Sequence, residues 1–243
     1  LVLSNVSYLP LAGAAAAGIP ALSLCSLNWA DLFDHYFADQ PWATPIHAEM
    51  LTAYRSAQAF VRVTPGMRME ALGNIQPVGP IAATGTRNDL GLNDDKAILI
   101  AMGGIAHRLP VENWPRLPDV RWLVPGEWNC RHPDAIASES FGLSFTDLLC
   151  SVDAVITKPG YGTFTEAACN GTPVIYQRRK NWPEQDCLIE WLISNSRCVE
   201  IEEEKLLSGR LAAAIDCILN QTPPPAPKAG GIAQAAKAII EHA

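Results

Sequence analysis

The stretch DAVITKPGYGTFTEAACNGTPVIY, Asp153 to Tyr176, decides the fold. It runs from a buried apolar strand, Ala154-Val155-Ile156-Thr157, through a turn holding Gly160 and Gly162, into a helix near 163–170. A second strand, Pro173 to Gln177, follows. Glycine gives such a turn positive φ and close backbone approach. A helix opening on it presents unpaired N–H groups and its positive dipole end to an anion. Lys158 adds a point charge beside the turn. Glu166, one turn into the helix, has two readings: it binds ligand hydroxyls, or it closes a capping box Thr163-x-x-Glu166 on the backbone of Thr163. The turn is neither a P-loop, since the lysine precedes the glycines, nor a GxGxxG fingerprint.

The same alternation extends in both directions. Upstream, Ala97-Ile98-Leu99-Ile100-Ala101 is a buried strand ending in Met102-Gly103-Gly104, and Val120 to Val124 is a strand closed by Pro125-Gly126. Phe145 to Ser151 reads as a short helix. Downstream come an amphipathic helix over 184–194, a strand from Cys198 to Ile201 and a single helix over 204–220. Toward the start, Leu1 to Leu3 and Pro20 to Cys25 are strands flanking an Ala-rich helix, Leu9 to Ala17, that Gly18 stops. Helices over 28–40 and 46–60, a strand near Ala59–Val63 and a Pro- and Gly-punctuated segment 64–95 complete the first half. Short apolar strands alternating with helices predict an α/β fold of two Rossmann-like lobes with parallel sheets. The expected domains are 1–90, 91–221, and a Pro-rich tether with a terminal helix, 222–243.

Composition narrows the function classes. The 243 residues are 49% hydrophobic and 18% charged, too apolar for a disordered chain. Eighteen Lys and Arg against 25 Asp and Glu give a net charge of -7, which argues against nucleic-acid binding. Seven scattered cysteines without a CxxC or Cys/His cluster indicate no zinc site and suit a reducing, cytoplasmic setting. Residues 1–30 are apolar, but no Lys or Arg precedes Arg55, so a signal peptide lacks its basic region. No uninterrupted apolar run reaches the roughly 20 residues of a membrane-spanning helix. The chain opens on strand residues without an initiator Met, as a fragment would.

With these residues in view, TKPGYGTFTEA, Gly171-Thr172-Pro173 and Glu184-Gln185 resemble the donor half of GT-B glycosyltransferases. The likeness is closest to the family of the peptidoglycan N-acetylglucosaminyltransferase and the monogalactosyldiacylglycerol synthases, and to the glycosyltransferase-like region of arabinose kinases. The resemblance implies a nucleotide-diphosphate sugar, a UDP-sugar first, as substrate, with no metal and no separate cofactor. It implies that Gly103, Gly104, Lys158, Gly160, Gly162 and Thr163 face the diphosphate, that Glu166 binds the ribose and that Gln185 approaches the donor sugar. Asp186-Cys187 departs from the family's usual Asn-Ala after that Gln. The family's Gly-rich loop after its very first strand has no counterpart, so the opening reads as the middle of an acceptor lobe.

Other residues are weaker candidates. His35 shares a helix face with Asp31 and could take a proton from an acceptor hydroxyl, or be half of a surface ion pair. Arg178 follows a strand at the edge where open α/β sheets collect ligands. Trp182 is a loop anchor or a sugar-pocket wall. The expected activity is a hexosyl- or N-acetylhexosaminyltransferase. A non-catalytic nucleotide-sugar-binding module and a nucleotide-sugar hydrolase are the alternatives. The acceptor and oligomeric state are unspecified by the sequence.

Overall fold

In the computed structural model, residues 1–103 and 108–242 are described. The candidate Gly104 lies outside these. The chain groups into two compact units, one of residues 1–81, 182–187 and 228–243, the other of 82–181 and 188–227.

The first unit holds four parallel strands in chain order, β1 (Val2–Ser4), β2 (Ala21–Cys25), β3 (Ala59–Val63) and β4 (Ile75–Val78). Right-handed crossovers that all step the same way place their helices on one face. These are α1 (Leu9–Ala16), α2 (Trp29–Phe37) and α3 (Ala43–Ser56). Leu11, Met50, Tyr54 and Phe60 fill the layer between helices and sheet. Asn28 caps α2 by accepting from the Asp31 N–H at 2.8 Å. The Tyr54 hydroxyl receives the Trp29 N–H at 3.0 Å and donates to the Val6 carbonyl at 2.5 Å. That bond holds Val6 at φ 67°, an unusual conformation for a β-branched residue.

The second unit holds β5 (Lys96–Ile100), β6 (Val120–Val124), β7 (Ala135–Ala137), α4 (Phe145–Ser151), β8 (Ala154–Thr157), α5 (Tyr161–Asn170) and β9 (Val174–Tyr176). Then come α6 (Gln185–Asn195), whose first residues group with the other unit, β10 (Cys198–Glu200), α7 (Glu203–Ser208) and α8 (Ala212–Leu219). All six strands are parallel, in the order β10-β9-β8-β5-β6-β7. From β5 the chain steps outward through β6 and β7, then returns to β8 on the opposite side. This reversal makes a topological switch point between β5 and β8, where open sheets form their ligand crevice. Ile98, Ile100, Trp122, Val155 and Ile156 are fully buried, as strands covered on both faces require.

The final helix, α9 (Gly231–Glu241), packs on β3 and β4 of the first unit. The Gly231 N–H donates to Pro80 O at 2.9 Å, and a Cβ there would lie 2.1 Å from Gly79 O, so only glycine permits this approach.

Three expectations are corrected. The single helix over 204–220 is two, broken at Gly209 with φ 69°. A Cβ on Gly209 would lie 2.4 Å from Trp114 Cγ, so the break lets the chain pass over that indole. The helix read over 46–60 ends at Ser56, because β3 takes Ala59 onward. Strand β4 lies within the segment read as Pro- and Gly-punctuated, and β7 in a stretch for which no element was expected.

Candidate functional site

The crevice is built by two turns at the carboxyl ends of β5 and β8. After β5, Gly103 adopts φ 76°. Among the described residues a Cβ there meets Lys158 Cε at 3.6 Å, an ordinary contact, so the positive φ is what calls for glycine. The Thr157 hydroxyl donates to Ala101 O at 2.6 Å and ties the two turns together. After β8, Gly160 is the N-cap of α5 in extended backbone, and among the described residues no side chain caps this helix. The Phe164 N–H makes a main-chain bond to Gly160 O at 3.1 Å, which opens the helical ladder.

A cavity of about 590 Å³ opens over these turns. Met102, Gly103 and Thr163 border it, and Trp128, Glu139 and Phe145 form further wall. The Glu139 carboxylate is held below the usual range by its own backbone N–H and by that of Gly126, which donates at 2.8 Å. Sequence reading missed Trp128 and Glu139. Their signal was the Pro125-Gly126 turn, which ends β6 on the same sheet edge.

A second cavity, of about 170 Å³, shares Met102 and is lined by Lys158, Gln177, Arg178, Arg179 and Lys180. Arg178 pairs with Glu200 at 3.1 Å, and Lys180 with Glu203 at 2.8 Å. Lys158 has no carboxylate partner among the described residues. Burial, and then the charge of Arg179, push its ammonium below the ordinary lysine range.

Glu166 lies in the second turn of α5, half-buried. Helix α5 starts at Tyr161, so Thr163 is inside it and the capping box does not form. The Glu166 carboxylate instead accepts from the Ala83 backbone, while burial raises its pKa. Ala83 belongs to a strap over 82–88 laid along α4 and α5. Asn170 Nδ2 donates to Ala83 O at 3.0 Å, and the Gly85 N–H donates to Asn170 Oδ1 at 2.8 Å. The Thr86 N–H reaches Asp147 Oδ1 at 2.8 Å.

The structure therefore brings Gly103, Lys158, Gly160, Gly162, Thr163, Glu166 and Arg178 onto one sheet edge and the helix that leaves it. His35 and Gln185 belong to the other unit. The His35 ring meets Tyr36 edge-on at 5.0 Å, while Asp34 pairs with His47 at 3.7 Å. Gln185 is buried, as is its neighbour Glu184, whose carboxylate accepts from Ser26 Oγ at 2.5 Å and Trp182 Nε1 at 3.0 Å. Trp182 is thus tied to that buried carboxylate. Among the described residues no His, Cys, Asp and Glu group could hold a metal ion, and no helix is long and apolar enough to cross a membrane.

No family model and no curated protein matches the chain. Solved structures do. The glycosyltransferase of kitacinnamycin is similar at a TM-score of 0.61 and 16% identity, covering 90% of this chain and 67% of that one. CalG4, the calicheamicin glycosyltransferase, is similar at 0.58 and 14%, covering 94% and 71%. Os79 from O. sativa, in complex with UDP, is similar at 0.54 and 12%, covering 89% and 67%. The chain spans about two thirds of the length of these proteins. Its two Rossmann-like parallel-sheet lobes are those of the GT-B glycosyltransferase fold.

Proposed function

We propose that the chain binds a nucleoside diphosphate sugar, a UDP-sugar first, at the switch point of its second unit and transfers the sugar to a hydroxylic acceptor. The observation that carries this reading is the pairing of the Gly103 turn with the uncapped start of α5 beside a 590 Å³ cavity. The nucleoside occupies that cavity against Trp128 and Phe145. The diphosphate rests on the Gly103 turn, on the backbone of Gly160 to Thr163 and against Lys158. Glu166, held by Ala83, receives the ribose hydroxyls.

In transfer, the departing diphosphate gathers charge that fixed N–H dipoles and Lys158 stabilise without reorganising. The acceptor hydroxyl gives its proton to a base, a role we assign to His35. Gln185 and Arg178 complete the donor set. The TKPGYGTFTEA motif supports a relation to the peptidoglycan N-acetylglucosaminyltransferase family, and so a hexosyl- or N-acetylhexosaminyltransferase. Seven free cysteines support a reducing compartment.

A thermal-shift panel of UDP, GDP, ADP and dTDP, followed by their sugars, tests the reading. A ligand at 100 Kd raises stability by about 2.7 kcal/mol. Glu166→Ala removes most of that shift. No shift with any diphosphate overturns the proposal. One observation favours a second reading, a binding module without transferase activity: Gln185, which the resemblance turns toward the donor sugar, is buried beside a Glu184 bonded to Ser26 and Trp182. Release of diphosphate and free sugar over time separates the readings. A module releases neither, and a nucleotide-sugar hydrolase releases both with water alone.

A further inference from the structure

The apolar face of α2 is wider than its own unit covers. Trp29, Ala30, Leu32, Phe33, Tyr36 and Phe37 follow the helical repeat along one face. Ala30 and Leu32 are buried, whereas Trp29, Tyr36 and Phe37 stay between 37% and 42% exposed. Trp42 and Ile46, where α3 begins, extend the surface. The rings touch in series: Phe33 lies 5.2 Å from Phe37 and 6.0 Å from Trp42, and Phe37 lies 5.5 Å from Trp42. Trp29, Tyr36, Phe37 and Trp42 leave roughly 300–400 Å² of ring surface to solvent, as much as the largest patch on an ordinary monomer. The fixed charges along this stretch have one sign. Residues 1–54 hold Asp31, Asp34, Asp39 and Glu49 and no Lys or Arg. Asp34 pairs with the His47 ring at 3.7 Å, and among the described residues none of the four acids meets a Lys or Arg. Burial raises the Asp31 carboxyl above its ordinary range. Glu70, whose charge also reaches Asp31, is itself paired with Arg68 at 3.7 Å.

We propose that this face docks a basic amphipathic helix of a partner protein, with Lys and Arg flanking an apolar ridge. The inference goes beyond the sugar-donor reading and uses none of the residues assigned there. The ridge covers the rings of Trp29, Phe37 and Trp42, side chains of the kind that carry interface energy. The flanking cations meet Asp34, Asp39 and Glu49 and reach the faces of Tyr36 and Trp42, so ion pairing and cation–π attraction act together. Charge decides against the other occupants. A second copy of this chain would bring the same four carboxylates against these, and an anionic bilayer would repel them.

A dye-labelled helical peptide of leucine and lysine, about 15 residues long with one apolar face, tests this by fluorescence anisotropy against the full chain. A shuffled peptide of the same composition and a leucine–glutamate counterpart are the controls. The lysine peptide should bind about tenfold tighter than either. Trp42→Ala should weaken it about tenfold. Asp34→Asn combined with Asp39→Asn should weaken it about fivefold at low salt, a loss that shrinks as salt rises. The acid variant keeps every ring, so it reads the charge where the Trp42 variant reads the surface. Ile193→Ser, at a 61% exposed apolar residue of α6, should change nothing. A lysine peptide no tighter than its shuffled form overturns the proposal, since the acidic chain would then attract any polycation. Full binding in Trp42→Ala places the peptide elsewhere and also overturns it. So do pelleting with phosphatidylserine vesicles that Trp42→Ala abolishes, and a dimer at assay concentration that the same change dissolves.

Discussion

The two sheets differ in strand order more than in chemistry, and the order decides which of them opens a crevice. Both are parallel and built from short apolar strands. In the first, β1 to β4 lie side by side in chain order, so every crossover steps the same way and no pair of strands parts to open a crevice. In the second, the chain reverses between β5 and β8, and such a reversal is where open sheets form a ligand crevice. A ligand site thus follows from topology before any catalytic residue is considered. Glycine is spent accordingly. In the second sheet it supplies Gly103 and Gly160 at the crevice, whereas Gly18 in the first only ends a helix.

Several substitutions would break or sharpen this contrast. The largest effect belongs to Gly209→Ala, which combines strain at φ 69° with a clash into Trp114. It should destabilise the second unit by about 3 kcal/mol, seen as a lower urea midpoint. An unchanged midpoint would show that the indole moves freely. Next, Gly103→Val should erase the roughly 2.7 kcal/mol stabilisation that a diphosphate gives at 100 Kd, and the strain of a β-branched residue at φ 76° should lower the ligand-free stability by about 1–3 kcal/mol besides. If the shift survives, the crevice does not depend on that turn.

Tyr54→Phe probes the first sheet. It strips the hydroxyl that serves Trp29 and Val6, at a cost of about 1–2 kcal/mol. Nucleotide affinity should not move, and a fall would show that the sheets do not divide the work. The smallest effect is Glu166→Gln. Burial raises the Glu166 pKa in the folded state, so the stability it contributes is present at acid pH and is lost as pH rises through that value. The Gln variant, which does not titrate, should gain in Tm over the native chain near neutral pH and lose that gain toward pH 4.5, the ordinary glutamate value. A difference independent of pH would assign it to packing.

Much of the second sheet was legible in the sequence. Strands β6 and β8 and helix α4 fall on the residues read for them, because full burial makes a strand a continuous apolar run and Pro-Gly or Ser marks its end. The missed strands, β4 and β7, are both edges. An edge strand keeps one ladder, and β4 even carries Pro77, which reads as a break. Gly209 was legible as a glycine but not as the partner of Trp114, since that contact joins residues far apart in sequence. Thr163 and Glu166 had capping-box spacing, yet Gly160 takes the cap and Ala83 takes the carboxylate. The local pattern lost to a strap that only tertiary structure reveals. For the site, the glycines and Lys158 were visible as a motif, whereas Trp128 and Glu139 became recognisable only once their strands shared an edge.

The indole beneath Gly209 has an optical consequence. Trp114 and Trp122 cross edge to face at 5.0 Å, fully or nearly dry, with no partner for either Nε1 among the described residues. Trp29 and Trp42 of the first unit are 42% and 49% exposed. Indoles in an apolar, proton-poor setting emit to the blue, and wetted ones to the red. The native spectrum therefore carries a blue contribution from the core of the second unit beside a redder one from Trp29 and Trp42. Loss of the blue part during denaturation reports that core melting, without a label being attached.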